Sequence, residues 1–137
     1  MDRDINSNVA RTVMNALESD RTSVAISAAL DVRKYTGLGN AVLFAELASA
    51  GTSPTLAVKV QESATSDGSY TDLASGAFST VTGAANDGVQ AVKINFDATL
   101  GFLKILPALG GTDTPTFTFG TYIEGRLKDI GTPAAQS

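Results

Sequence analysis

Residues Thr55–Leu73 read TLAVKVQESATSDGSYTDL. Leu56, Val58 and Val60 alternate with Ala57, Lys59 and Gln61, the two-residue period of a strand with one buried face. Ser66-Asp67-Gly68-Ser69 then supplies turn chemistry, because Asp bonds its own backbone and Gly accepts positive φ without steric cost. Tyr70 and Leu73 open the return. The stretch predicts a β-hairpin. The chain on both sides repeats its pattern, in short alternating runs parted by Gly, Ser, Thr, Asp and Pro.

Downstream, Gly76–Val81 predicts a short strand anchored by Phe78 and Val81, and Thr82–Gly88 a loop of small residues. In Val89–Asp97 (VQAVKINFD), Val92, Ile94 and Phe96 face one way and Ala91, Lys93 and Asn95 the other. Thr99-Leu100-Gly101 turns the chain into Phe102–Leu106 (FLKIL), a strand that Pro107 ends or marks as an edge. Gly110–Pro115 is a turn cluster. In Thr116–Glu124 (TFTFGTYIE), Phe117, Phe119, Thr121 and Ile123 point inward, and Thr116, Thr118, Tyr122 and Glu124 outward. Gly120 there predicts a bulge or the close approach of another backbone.

Upstream, Ala41–Ala48 (AVLFAELA) reads as a strand buried on both faces. Gly37-Leu38-Gly39-Asn40 reads as a turn. A dinucleotide loop would need a third small residue where Val42 stands, and a βαβ unit around it. Ser23–Tyr35 is β-prone at Val24, Ile26 and Val32, while Ala25, Ala28 and Ala29 leave part of it open to a helix. In residues 1–22, Val9, Val13, Met14 and Leu17 stand at i, i+4, i+5 and i+8. That spacing suits one face of a helix of about three turns, capped by Asn6, Ser7 or Asn8. A first strand and an arm reaching a neighbouring subunit are the alternatives.

Turn signals recur roughly every 8 to 12 residues, the rhythm of a β-sandwich or jelly roll. The expected architecture is all-β, a sandwich or jelly roll of about eight short antiparallel strands. Residues 1–22 form an N-terminal arm or short helix, residues 23–128 the domain and residues 129–137 a tail.

At 137 residues the chain can bury one core, and its 43% apolar content is that of a folded domain. Net charge is −4, with only 10 Lys and Arg, which argues against a nucleic-acid partner. No Cys and no His are present. Disulfides, thiolate chemistry and sulfur-based zinc sites are therefore excluded, and the commonest general base is missing. The start, MDRDINSNVA, lacks the basic-then-apolar order of a signal peptide, and no apolar run reaches the roughly 20 residues of a membrane span. The expected place is the producing cell's cytoplasm, or a particle assembled there.

Candidate chemistry is thin. Asp67, Ser69 and Asp72 crowd a turn without the ligand order of a calcium loop. Glu46, Glu62, Asp97 and Glu124 fall near strand ends, where a glycosidase-like pair would have to be assembled in space. Tyr35, Tyr70 and Tyr122 are the residues that would stack a sugar, although packing is the simpler role for them. No Ser sits in a G-x-S-x-G elbow. The reading is of a protein that is not an enzyme, with no catalytic residue, cofactor or metal. Its interface residues are expected in Val9, Val13, Met14 and Leu17, and in Phe117, Phe119 and Tyr122.

The span Ser53–Glu124 resembles small proteins from the structural gene clusters of tailed bacteriophages. The pattern is LAVKVQES, SDGSY, TDL and AFSTVT, then a strand opening Gly88-Val89-Gln90, then FLKILPAL and TFTFGTYIEG. Ser23–Ala48 is similar to that family's opening strands more loosely, and residues 1–22 match least. The family includes jelly-roll capsid cement or decoration proteins. The resemblance implies a place on the outer capsid surface, with the major capsid protein as partner. It implies a clamp that bridges neighbouring capsid subunits and braces the shell against packaged DNA. The chain itself would be a second partner, as a homodimer or a trimer, with neither nucleic acid nor membrane. A tail or neck component and a carbohydrate-binding jelly roll are the alternatives.

Overall fold

The hairpin expected at Thr55–Leu73 is present, and it forms one corner of a two-layer sandwich. A computed structural model describes residues 9–21, 26–49, 52–83, 85–112 and 115–128. The strands are β1 (Val9–Arg21), β2 (Leu30–Asp31), β3 (Tyr35–Ser49), β4 (Thr52–Ser63), β5 (Thr71–Ala77), β6 (Gly88–Asn95), β7 (Phe102–Thr112) and β8 (Thr116–Leu127). A single 3-10 turn, Phe96–Ala98, follows β6 and is capped by the Asn95 side chain.

The strands form two four-stranded sheets, ordered β1-β8-β3-β6 and β2-β7-β4-β5. The pairs β1·β8, β2·β7, β3·β6 and β4·β5 are all antiparallel and nest inside one another along the chain. That nesting is a ribbon wrapped round a barrel-like core, the double-sheet jelly roll. The fold class expected from the strand rhythm is therefore the one observed.

The core lies between the sheets. From the first sheet come Ala41, Leu43 and Ala45 of β3, Ile94 of β6, and Phe117, Phe119 and Ile123 of β8. From the second come Leu56, Val58 and Val60 of β4, and Leu103 and Ile105 of β7. These alternate along each strand as the two-residue period requires. Burying each large side chain contributes about 1.5–3 kcal/mol. The Phe96 ring closes one end of the core against Tyr35, with centroids 4.9 Å apart. Gly39 and Gly125 make room for it, since a Cβ at either would lie within 2.6 Å of the ring.

Several local expectations change. Val9–Arg21 is a strand and not a helix; the capping candidates Asn6, Ser7 and Asn8 lie outside the described residues. Spacings of four and eight are even, so they serve one face of a strand as well as one face of a helix. Gly37–Asn40 is not a turn but a bulge inside β3, where pairing to β8 shifts register between Thr36 and Asn40. Gly37 takes φ +70 there, and its N–H donates to Asp97 Oδ2 at 3.2 Å. In the described part of Ser23–Tyr35, Leu30–Asp31 is strand, Tyr35 opens β3 and no residue is helical; Val24 and Ala25 lie outside the described residues. Ser27 replaces a longer pairing: its N–H donates to the Ile105 carbonyl, and its Oγ accepts from Ile105 N–H.

The return strand of the hairpin is Thr71–Ala77, which ends before Phe78. Phe78 and Val81 are buried anchors as expected, held by backbone bonds to Val58 and Leu56. β7 does not end at Pro107 but continues to Thr112. Pro107 pairs Val58 on one side, and the short β2 reaches only Phe102 and Leu103 on the other. Its missing N–H thus costs no ladder bond to β2. Of Ala41–Ala48, expected to be buried on both faces, Ala41–Leu43 and Ala45 are buried, while Phe44 and Leu47 are half-buried and Glu46 and Ala48 exposed, because the outer face of β3 is uncovered.

Candidate interaction surface

The first sheet has an outer face as well as a core face, and that outer face is not polar. Adjacent strands bring residues into cross-strand rows, whose side chains are close neighbours. One row is Val13, Tyr122, Val42 and Ala91 across β1, β8, β3 and β6. The next is Leu17, Gly120, Phe44 and Val89. Val13, Leu17 and Val89 are 67%, 62% and 71% exposed, respectively. A hollow of about 190 Å³ lies between Val13, Leu17, Phe44 and Tyr122. Folding gains nothing from leaving this many large apolar side chains in water, and a contiguous patch of them marks a contact surface.

Three features of β1 build this surface. Pairing to β8 shifts by one residue at three places: between Val13 and Asn15, Asn15 and Glu18, and Glu18 and Arg21. Such bulges reset the alternation, so that Asn15, which simple alternation from the exposed Val13 would send outward, turns inward. Asn15 is buried by them and bonds Thr121 twice: Asn15 N–H donates to Thr121 Oγ1 at 3.1 Å, and that hydroxyl donates to Asn15 Oδ1 at 2.7 Å. Gly120 admits the bulged backbone, since a Cβ there would stand 2.9 Å from Leu17 Cα and 3.0 Å from Leu17 N. The expectation that another backbone comes close at Gly120 holds, and that backbone is β1.

Charged rows border the apolar ones. On one side run Arg11, Glu124, Asn40 and Lys93. The Arg11 Nε donates to Glu124 Oε1 at 3.0 Å, and the guanidinium lies 5.5 Å from the Tyr122 ring centroid. That hydrogen bond raises the Arg11 pKa above its ordinary value. On the other side Glu46 is exposed opposite Thr118. The outer face of the second sheet differs in kind. Lys59 and Gln61 both bond Asp72, and Lys104 lies 4.5 Å from the Tyr70 ring centroid. Arg33 bonds Asp31 and covers Phe102.

The structure separates the residues expected at an interface. Val13, Leu17 and Tyr122 share the apolar face, and Val9 is exposed near its end. Met14 is half-buried against the core. Phe117 and Phe119 have no exposed surface and belong to the core, so this fold does not present them to a partner. Phe44, Val42, Ala91 and Val89 complete the face, although their strands read as ordinary buried or alternating runs. Their signal was the outward parity of Val89 and Ala91 with Lys93, which singles them out as apolar residues on the solvent side.

The candidate chemistry is dispersed. Glu62 accepts from Leu100 N–H, Asp97 from Gly37 N–H and Glu124 from Arg11, while Glu46 is exposed. No group of three or more acidic side chains that could hold a metal occurs among the described residues. Asp72, at the start of β5, accepts from Gln61 and Lys59, which lower its pKa. Tyr35 is in the core, Tyr70 bonds the Ser66 carbonyl and Tyr122 lies on the apolar face, so the three build no common stacking platform. Comparison with protein-family models and with curated proteins found no match to this chain.

Proposed function

We propose that this chain is a structural protein of a phage particle, a capsid cement or decoration protein. It seats on the outside of the shell, bridges neighbouring major capsid subunits and stabilises them against packaged DNA. It is assembled in the bacterial host cytoplasm and works as a homo-oligomer. Three things support the reading: the strand pattern shared with that family, the jelly-roll order and the exposed apolar face. The face carries most weight. It is a contiguous apolar patch of the kind that contacts protein, on a domain whose described residues gather no group of three acidic side chains that could hold a metal. A modest contact suffices for such a role, because repetition over a shell multiplies it.

The test is cosedimentation of the purified chain with shells that lack it. Saturable binding at a simple fraction of the capsid subunit number, with raised thermal resistance of the shell, is the expected result. No cosedimentation at tens of micromolar protein would end this reading.

A further inference from the structure

We infer that the outer face of the β1-β8-β3-β6 sheet is occupied by a second copy of this chain, related by a two-fold axis that crosses the strands. Charge order along the face selects the axis. From one side to the other the face presents the Lys93 row, the Tyr122 row, the Phe44 row and the Glu46 row. Lys93 and Glu46 have no ion-pair partner among the described residues, although both are exposed. Among the described residues, each is thus a charge without a counter-ion beside an apolar patch.

A two-fold axis lying in the contact plane, across the strands and between the apolar rows, sets the Tyr122 row of one copy on the Phe44 row of the other. The same operation sets the Lys93 row on the Glu46 row, twice, because such a contact is isologous. Lys93 then meets the acidic rim formed by Glu46 and the exposed Asp87. The other in-plane axis, along the strands, sets each row on itself and brings Arg11 over Lys93, like charge on like. Only the first arrangement is complementary.

Four strands and four rows span about 19 Å by about 27 Å, or about 500 Å² per copy. Twice that area is near the lower limit of a specific interface. An interface this small is of the weak, transient class, so the dimer is expected to exchange with monomer at roughly micromolar concentration or above. This inference is independent of the shell-binding proposal, since a chain that never meets a capsid would pair through the same face.

Sedimentation velocity over a range from about 1 to about 100 µM, at low salt, reads it directly. The wild-type chain is expected to shift from monomer to dimer. Val89→Lys and Leu17→Lys remain monomeric while keeping the wild-type circular dichroism. Lys93→Glu and Glu46→Lys each raise the dissociation constant at least tenfold, and the double exchange K93E/E46K recovers it to within about fivefold. A wild-type monomer at the highest concentration overturns the inference. So does a dimer that ignores Val89→Lys, or a double exchange no better than the single ones. Shell binding measured on the same variants keeps the two proposals apart. A monomer that still binds shells refutes the dimer and the homo-oligomeric state but leaves the shell role, and a dimer that does not bind refutes only the shell role.

Discussion

Gly120→Ala tests how β1 is held. The added Cβ would lie 2.9 Å from Leu17 Cα and 3.0 Å from both Leu17 N and Leu17 Cβ. Two of these atoms are backbone, so no rotamer change relieves the clash, and β1 must move off β8 by several tenths of an ångström. Overpacking of this kind costs about 1–3 kcal/mol. Replacing Gly within a strand returns about 0.5–1 kcal/mol of backbone entropy, since φ at Gly120 is not positive. The net expectation is a loss of about 1–2 kcal/mol, or a Tm lower by about 3–7 °C for a domain of this size. Urea unfolding followed by circular dichroism, at dilutions that keep the chain monomeric, measures it. Leu17→Ala alone changes stability by under about 0.5 kcal/mol, because the side chain is exposed. It also fails to rescue Gly120→Ala, because the obstructing backbone remains. A Gly120→Ala variant as stable as wild type would refute the bulged approach of β1 and the surface built on it.

Other variants probe the core, a buried polar link and a surface ion pair. Phe119→Ala empties a fully buried site on β8 and costs about 3–5 kcal/mol in the same unfolding assay. Thr121→Val removes both bonds to the buried Asn15, at about 1–3 kcal/mol; Thr121→Ser retains most of the stability. Hydrogen bonding from Arg33 lowers the Asp31 pKa to about 2, against about 3.9 in an unfolded chain. The stability it contributes is full above about pH 4 and lost as pH falls through the folded value near 2. The pair is exposed, so the share is under about 1 kcal/mol. Asp31→Asn should flatten the acid limb of the stability profile by that amount and leave pH 7 to 9 flat.

The legible parts of this fold are those where period and burial agree. β4 and β8 alternate without interruption through their core residues, and their inward sets, Leu56, Val58, Val60 and Phe117, Phe119, Thr121, Ile123, are those found buried. β1 was illegible because its bulges break the two-residue period. Val9, Val13 and Leu17 then fall at spacings a helix also uses, and a propensity reading cannot choose between them. Gly37–Asn40 failed for a related reason: a bulge and a turn use the same residues, and only pairing across β8 tells them apart. The candidate surface was half visible. Val13, Leu17 and Tyr122 are expected at an interface, on an arm and a last strand. Phe44 and Val89 needed the register that sets them side by side. Phe117 and Phe119 were placed at an interface although their inward parity with Ile123 already put them in the core.

In the proposed role, this jelly roll covers a shell. Quantitative mass spectrometry of purified particles, read as the ratio of this chain to the major capsid protein, tests it most directly. The account predicts a ratio near one or a simple fraction of it. A ratio lower by an order of magnitude would move the protein to the tail or neck, and complete absence from particles would contradict the account.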